Sequence, residues 1–400
     1  MDIYETTRET RPAVNQTPPP MKQSAETALA RLIREKMENI SLPRCICRIG
    51  DKLDQESSNT LVPKLVSIGP YHYANESLKV MEEHKWHYSF TLLSRKPNLE
   101  ARLDKCVKGL RELERGARIC YADELNLTSD EFVEIILIDG CFVIEVLMRY
   151  GVKGLRRRGD PFFGRPGKIS GLRLDMLMLE NQIPLNVLQM LFSLAPIPEQ
   201  CTTQSLNELA FAFFKSVIPG DHVEKFGQYG YHFLDMIRDQ LLPVSQKLAP
   251  RSSKLIKSAT NLDKSGLVLK ESTEQPGTLL DVKFAKGYLA IPQLKIQPHT
   301  ETLLRNLIGY EQCVGGSTAL YVTSYAFLMQ HLMRSEEDVE LLEKHDIVRN
   351  YLGDRKGAVD MFKRVCNGID LKQNLYGELC EQVNGYERKS WFEGLRTRFL

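Results

Sequence analysis

The chain has 400 residues, of which 42% are hydrophobic and 26% are charged, the composition of an ordinary folded protein. Its 53 lysines and arginines against 51 aspartates and glutamates give a net charge of +2, which excludes an overall attraction to nucleic acid or anionic lipid. A collagen-like, disulfide-dense or broadly disordered chain is excluded as well. The length suits two domains or one large helical body with insertions.

The N-terminal segment and the cysteines bear on the compartment. Residues 1–22 combine threonine, proline and charge without an apolar stretch, so we predict a disordered arm and no secretory signal. An odd, scattered set of nine cysteines without such a signal is typical of reduced thiols in the cytosol. Cys45 and Cys47 are close in sequence, but no second Cys/His pair stands near enough to complete a zinc site. The cysteines occupy positions 45, 47, 106, 120, 141, 201, 313, 366 and 380.

Helical periodicity covers most of the remaining chain. We therefore predict a mainly α fold, a multi-helix globular body over residues 23–400, and leave open a sub-division near 195–205 or 250–278. Alternating apolar residues, a turn at 285–287 and a returning run at Tyr288–Ile291 predict a small β-hairpin within about residues 278–296. The predicted helices are Ser24–Ile40, Leu78–Arg95, Leu99–Cys120, Phe132–Met148, Leu172–Leu194, Leu206 to about Leu248, Glu301–Tyr310, Tyr321–Arg334, Val339–Leu352, Ala358–Cys366 and Leu375–Leu400.

Phe132–Met148 is the most apolar of these helices, and three acids exclude it as a membrane span. On a helical wheel Asp139 falls in the middle of an apolar face, whereas Glu134, Cys141 and Glu145 share a different face. A buried carboxylate needs donors or a proton. Asp139 is therefore either a perturbed acid in a cleft or a structural residue that bonds a neighbouring helix end or a buried lysine or arginine. We favour the structural interpretation.

Polar residues also interrupt the apolar run of 172–188, where Asp175 and the segment Glu180-Asn181-Gln182 precede Pro184. Pro184 predicts a helix break and the first residue of the next helix, and polar side chains at such a break usually satisfy loose backbone groups.

A catalytic alternative joins His84 to Asp139 or Glu180, as in a hydrolase or transferase, or joins His84 and Asp139 to Cys141 as a nucleophile. It requires these side chains to converge in a pocket. No nucleotide-binding, kinase or hydrolase motif accompanies them.

The segment Gly151–Gly171 holds Arg156, Arg157 and Arg158 among several glycines, which predicts a surface loop. A binding site for nucleic acid or anionic lipid is the alternative here. The segment lacks an aromatic stacking pattern, so we expect no nucleic-acid partner.

Several short motifs surround the polar interruptions described above. LVSIGPYH at 65–72 is followed by MEEHKW at 81–86, DGCF at 139–142 and LENQIP at 179–184, and the segments Ser258–Thr260, Ile291-Pro292 and Arg305–Ile308 keep the same order. With these motifs the chain resembles the plant domain-of-unknown-function 247 family, from about residue 45 to its C-terminus. The residues that mark the family are Glu83, His84, Lys85, Trp86, Asp139, Gly140, Cys141, Phe142, Glu180, Asn181, Gln182, Pro184, Arg305 and Asn306.

The resemblance implies a largely uncharacterised plant protein without catalytic residues or cofactors to carry over. Family members typically end in a hydrophobic C-terminal span, and some are linked to self-incompatibility in grasses together with small secreted proteins. Trp391–Leu400 resembles the approach to that span, and the sequence given stops there. The basic residues at 388, 389, 396 and 398 would favour a cytoplasmic body beside such a span. We expect a membrane-associated protein if the span is present, and otherwise a cytoplasmic one.

The residues and the resemblance together favour a plant interaction protein without catalysis. Its expected partners are proteins, either another family member or a small secreted protein, and we expect no cofactor or metal. If Glu83, His84, Asp139, Glu180 and Asn181 are buried as their patterns indicate, they serve to specify the fold. The enzyme described above is the alternative.

Overall fold

The computed structural model describes residues 44–49, 61–165, 167–220, 230–243, 252–273, 277–314, 319–371 and 373–386. The predicted arm at 1–22, the predicted helix Ser24–Ile40 and the segment Trp391–Leu400 lie outside these residues. All described residues belong to one compact unit, Pro43–Leu400.

The predicted mainly α fold is confirmed, because the described residues form many helices and a few short strands. A 3₁₀ turn at Glu76–Met81 leads into the first α-helix. The helices are α1 (Glu82–Leu93), α2 (Leu99–Ile119), α3 (Ser129–Gly151), α4 (Lys168–Asp175), α5 (Leu185–Leu194), α6 (Leu206–Phe214), α7 (Phe233–Leu241), α8 (Ala259–Lys264), α9 (Thr300–Val314), α10 (Tyr321–Leu332), α11 (Glu336–Lys344), α12 (Arg355–Cys366) and α13 (Gly377–Asn384). The strands are β1 (Val268–Glu271), β2 (Lys283–Ala285), β3 (Tyr288–Ile291), β4 (Leu294–Ile296) and β5 (Val348–Asn350).

Helix α3 is the centre around which the N-terminal half packs. Thr128 begins it with a capping box, in which the Thr128 hydroxyl accepts from the Glu131 amide and the Glu131 carboxylate accepts from the Thr128 amide. From Phe132 to Arg149 every side chain except Glu134 is buried. Helices α1, α2, α5 and α6 all contact α3, so its apolar and polar faces are both enclosed.

The C-terminal half packs around α9, which contacts α7, α10 and α12. Its buried residues and those around α3 belong to one hydrophobic cluster that extends from Cys45 to Val383. Among the described helices, none is long and apolar enough to cross a bilayer.

The predicted hairpin is present as β2 and β3, which pair antiparallel through a two-residue turn. Both turn residues, Lys286 and Gly287, have positive φ (50° and 79°), as a type I′ turn requires. The sequence did not indicate two parallel pairings, of β1 with β3 and of β4 with β5.

Several predicted helices are shorter than the sequence indicated, and in the described part of Leu375–Leu400 the helix is limited to Gly377–Asn384. Val339–Leu352 is wrong in its second half, because Asp346 adopts a left-handed conformation (φ 55°) and the chain continues as β5. The helix predicted from Leu206 to about Leu248 ends at Phe214, and Phe233–Leu241 is a separate helix, while 221–229 and 244–248 lie outside the described residues. Leu172–Leu194 is split by residues 176–184, and Pro184 caps α5 rather than forming its first turn.

Candidate functional site

The segment 64–69, which belongs to no strand, is held by side chains. The buried carboxylate of Asp175 accepts hydrogen bonds from the amides of Lys64, Leu65 and Val66, at 3.1, 2.6 and 2.9 Å. Burial raises the pKa of Asp175, and these three donors oppose that rise. A carboxylate at the end of α4 thus fixes this segment through three consecutive amides.

Asn181 and Asp139 continue this arrangement. Asn181 accepts from the Ile68 amide at 2.6 Å and donates to the Val66 carbonyl at 3.0 Å, while Asp139 accepts from the Gly69 amide at 2.8 Å. Gly69 has φ +74°, and a Cβ there would lie 2.7 Å from the Gln182 carbonyl oxygen. Glycine is therefore required at this position.

Asp139 forms a buried ion pair with Lys85, whose side chain is only 1% exposed. The Lys85 ammonium donates to Asp139 at 2.5 Å, and it also contacts Glu82 at 2.7 Å and both oxygens of Ser67 at 3.1 and 3.3 Å. Burial raises the pKa of Asp139 to about 6, although Lys85 opposes the rise. Burial alone would lower the pKa of Lys85, but Asp139 and Glu82 outweigh it and raise that pKa. Both groups are therefore charged at neutral pH.

A second buried network surrounds Arg149. Its guanidinium contacts Glu145 and Asp160, each at 2.8 Å, and lies 3.8 Å from the ring centroid of Tyr88. Arg95 also pairs with Glu145 at 2.6 Å, and the Tyr88 hydroxyl donates to Asp160 at 2.7 Å. Glu145 is thus compensated by two arginines inside the core.

Among the described residues, Glu180 shares no hydrogen-bond partner with Asp139, and it holds the strip 44–49. It accepts from the Ile49 amide at 2.7 Å and approaches His72 at 3.3 Å and Arg48 at 3.7 Å. These contacts fix the backbone of the strip against the residues that precede α5.

Four further family-marking residues are also used in packing or in backbone hydrogen bonds. Gln182 donates to the carbonyls of residues 176 and 178, and Asn306 accepts from the amide of residue 179, all at 2.8 Å. Arg305 donates to the carbonyl of residue 364 at 3.0 Å. A Cβ on Gly140 would lie 2.5 Å from a methyl of Leu191, so this glycine allows α3 and α5 to approach closely.

The candidate catalytic residues do not converge. His84 is half-buried and, within the described residues, makes no hydrogen bond to Asp139, Glu180 or Cys141. Burial raises the pKa of the Cys141 thiol, which disfavours a thiolate nucleophile. Glu83 is exposed on α1, so it does not contribute to a buried network, and its expected role in specifying the fold is wrong.

The arginine-rich segment 156–158 is on the surface, but Arg156 forms hydrogen bonds within the fold. Its guanidinium donates to the carbonyls of Arg149 and Tyr150 at 2.7 and 2.9 Å, which closes the C-terminal end of α3. Arg157 and Arg158 are exposed.

A cavity of about 430 Å³ opens between the 3₁₀ turn, α1 and α3, and we call it the α1–α3 cavity. Lys85 and Asp139 form its floor. Tyr73 and Trp86, which are 42% and 50% exposed, line its wall. The remaining lining residues are Ala74, Glu76, Lys79, Glu82, Glu134, Ile135 and Ile138. Trp86 was identified from the sequence only as a family-marking residue, and Tyr73 and the cavity were missed. The available signal was a tryptophan outside the inner face of an amphipathic helix.

Phe90 extends this exposed aromatic surface. It is 59% exposed and follows Trp86 by one helical turn, so the two rings occupy neighbouring positions on the outer face of α1. We call Tyr73, Trp86 and Phe90 the α1 surface. Exposed aromatic side chains that cluster in this way mark sites of interaction.

The cysteines differ from the sequence-based expectation. Cys47 and Cys313 form a disulfide with Cα atoms 6.3 Å apart, so the prediction of reduced thiols is wrong for this pair. The other seven cysteines are free and buried. Within the described ranges, no group of three or more potential ligands is arranged to hold a metal ion.

The raised pKa of Asp139 gives a pH-dependent stability. The folded protein binds this proton more tightly than the unfolded chain, so the Asp139 contribution to the free energy of unfolding falls by roughly 1–3 kcal/mol as the pH rises from about 4 to about 6. Urea unfolding of the wild type and of Asp139→Asn across this range isolates the effect, because asparagine does not titrate. A stability difference that instead grows with pH would show that Lys85 lowers the pKa of Asp139.

Comparisons with known proteins place the chain in a family. It is similar to a UPF0481 protein of Arabidopsis thaliana, At3g47200, with 28% identity over 384 residues that cover 89% of this chain and 79% of the relative. It is also similar to the putative UPF0481 protein At3g02645 of the same plant, with 24% identity over 83% of this chain and 80% of the relative. No solved structure matches the chain. The model of the DUF247 family, described as "Plant protein of unknown function", matches residues 46–400. The chain therefore belongs to this family of plant proteins of unknown function.

Proposed function

We propose that this protein acts without catalysis, as an interaction protein that binds another protein through its α1 surface. The proposal rests on a difference among the family-marking residues: some are hydrogen-bonded inside the fold, and one is exposed to solvent. The polar groups of three of them, Lys85, Asp139 and Asn181, form hydrogen bonds with buried partners. Trp86, in contrast, is half-exposed and lines an open cavity.

The floor of the cavity supports binding better than catalysis. A general base or nucleophile needs an atom free to reach a substrate. Both oxygens of Asp139 are occupied, one by Lys85 and one by the Gly69 amide, and the Lys85 ammonium is surrounded by four acceptor atoms. The Lys85–Asp139 ion pair therefore stabilises the floor of the cavity and does not supply a reactive group.

The α1 surface has the composition of a protein-binding site. Tryptophan and tyrosine dominate the energetically important positions of protein interfaces, because they bury a large rigid area and lose little side-chain entropy. Helix α1 is anchored to α3 by its inner face, where Lys85, Tyr88 and Leu92 are buried. The outer aromatic side chains are thus presented from a rigid element, which favours specific binding.

Two further parts of the proposal depend on the family resemblance alone. They are attachment of the body to a membrane through a C-terminal span and a role in reproductive or signalling recognition. The partner would then be another family member or a small secreted protein.

Site-specific photo-crosslinking tests the binding surface. The full chain carries p-benzoylphenylalanine in place of Phe90, and a matched control carries it at Tyr351, which follows β5 and is 56% exposed. We expect one protein to crosslink at position 90 and not at position 351. The purified partner should then bind the double variant Trp86→Ala/Phe90→Ala at least ten-fold more weakly than the wild type, with Tyr351→Ala unchanged.

Two results would contradict this proposal. Equal crosslinking at both positions would mean that the α1 surface is not the binding site. A small metabolite that co-purifies in the cavity without any crosslinked protein, and that is chemically converted, would favour the enzyme alternative.

A further inference from the structure

The positive charges of the α1–α3 cavity are already paired. The Lys85 ammonium has three protons and is within reach of four acceptors, on Asp139, Glu82 and Ser67. Lys79 pairs with Glu76 at 2.5 Å across one turn. Lys85 therefore has no donor left for an incoming anion, whereas Lys79 is exposed and uses one of its three protons on Glu76.

The carboxylates, in contrast, retain free acceptor capacity. Glu134 is the one exposed side chain on the central stretch of α3, and it makes no hydrogen bond or ion pair within the described residues. In Glu82, Oε1 contacts Lys85 and Ser67, whereas Oε2 has no partner in that part of the chain. The lining holds four carboxylates against two ammonium groups, so its charge is negative overall.

The aromatic wall adds a second attraction for the same class of ligand. The faces of tryptophan and tyrosine rings attract cations, with tryptophan the most effective. Trp86 and Tyr73 line the cavity together with Glu82 and Glu134. An arginine guanidinium suits both features, because it stacks on aromatic faces and forms paired hydrogen bonds with a carboxylate.

We propose that the α1–α3 cavity receives an arginine side chain from the partner protein that docks on the α1 surface. This inference rests on the proposed function and adds the chemistry of the contact. The cavity volume of about 430 Å³ is near the lower end for ligand pockets, which suits one side chain and its flanking backbone better than a large cofactor. Charge complementarity selects a basic segment, and the aromatic wall selects arginine over lysine.

Tryptophan fluorescence tests the cavity directly. The chain has two tryptophans, so the variant Trp391→Phe leaves Trp86 as the single reporter. The probe is N-acetyl-arginine methylamide, and N-acetyl-citrulline methylamide is its neutral control with nearly the same shape. We expect a saturable change with the arginine probe and at least ten-fold weaker binding of the citrulline probe. Glu134→Gln should weaken arginine binding about three- to ten-fold, while Glu112→Gln, an exposed acid on α2, should leave it unchanged.

The outcomes separate this inference from the proposed function. If the citrulline probe binds as well as the arginine probe, or if Glu134→Gln has no effect, the arginine site is wrong even when a partner crosslinks at position 90. If a partner crosslinks there and its affinity survives replacement of every arginine in its crosslinked segment by glutamine, the inference fails and the proposed function stands. If the arginine probe binds but no protein crosslinks, the proposed function fails, and the assignment to a partner side chain fails with it.

Discussion

Replacing Lys85 with alanine is expected to lower the free energy of unfolding at pH 7.5 by about 3–5 kcal/mol, measured by urea denaturation. The change leaves the carboxylate of Asp139, whose side chain is 2% exposed, with the Gly69 amide as its remaining donor. It also removes the donor to both oxygens of Ser67. A buried charge without a partner is among the most costly defects in a protein core.

The pH dependence of this variant identifies the cause. Without Lys85 the pKa of Asp139 rises further, so the carboxyl group is neutral over more of the pH range and the variant becomes more stable as the pH falls toward 5. The double variant Lys85→Met/Asp139→Leu should regain much of the lost stability, since it removes both charges. A double-mutant cycle gives the coupling between the two residues.

Lys79→Ala is the matched control, because Lys79 is on the neighbouring 3₁₀ turn and its ion pair with Glu76 is exposed. We expect no measurable change in stability from it. If Lys85→Ala were as harmless as Lys79→Ala, the ion pair with Asp139 would not be structural. If Lys85→Ala left stability unchanged but abolished an activity, Lys85 would have to be reconsidered as a reactive group.

The sequence predicts those features that depend on neighbouring residues. The apolar run of α3 and the alternation around Lys286-Gly287 were sufficient to place a buried helix and a hairpin, because hydrophobic periodicity and turn geometry are local properties. The helical wheel also placed Asp139 on a buried face.

The pairing of Lys85 with Asp139 cannot be predicted in this way, because 54 positions separate the two residues in the sequence. Periodicity shows which side of a helix is buried, but it does not show which other helix covers that side. The same limit applies to β5, whose three residues pair in parallel with β4, more than 50 positions away in the chain. A helical pattern that continues past Lys344 gives no sign of such a partner, and local propensity yields to the tertiary contact.

The cavity is harder still to predict, because it depends on the spacing of three elements. Tyr73, Trp86 and Glu134 come from a loop, α1 and α3, and each is unremarkable in its own segment. They converge because α1 packs on α3, and the buried Lys85–Asp139 ion pair joins these two helices. The one local sign is the pair Trp86 and Phe90, because two large aromatic residues one turn apart opposite a buried face form a patch, whereas single exposed apolar residues are common.

Loss of the disulfide between Cys47 and Cys313 should produce the second large effect. The bond joins residues 266 positions apart, and closing so long a loop restricts the unfolded chain severely. We expect Cys47→Ser, Cys313→Ser and the double variant each to lose about 2–5 kcal/mol of stability, by nearly equal amounts because each removes the same bond. The loss should also loosen the C-terminal end of the strip 44–49, where Glu180 would still accept from the Ile49 amide.

Reduction distinguishes loss of the bond from a packing defect. Dithiothreitol should lower the melting temperature of the wild type to that of the variants and should leave the variants unaffected. Cys366→Ser is the control, because Cys366 is buried and free, so this variant should keep the full response to the reductant. If both Cys47 and Cys313 were alkylated without prior reduction in protein extracted under acid-trapping conditions, the two thiols would be free. The strip would then depend on Glu180 and on the hydrogen bonds of Cys45 and Ile46 to the Cys120 carbonyl.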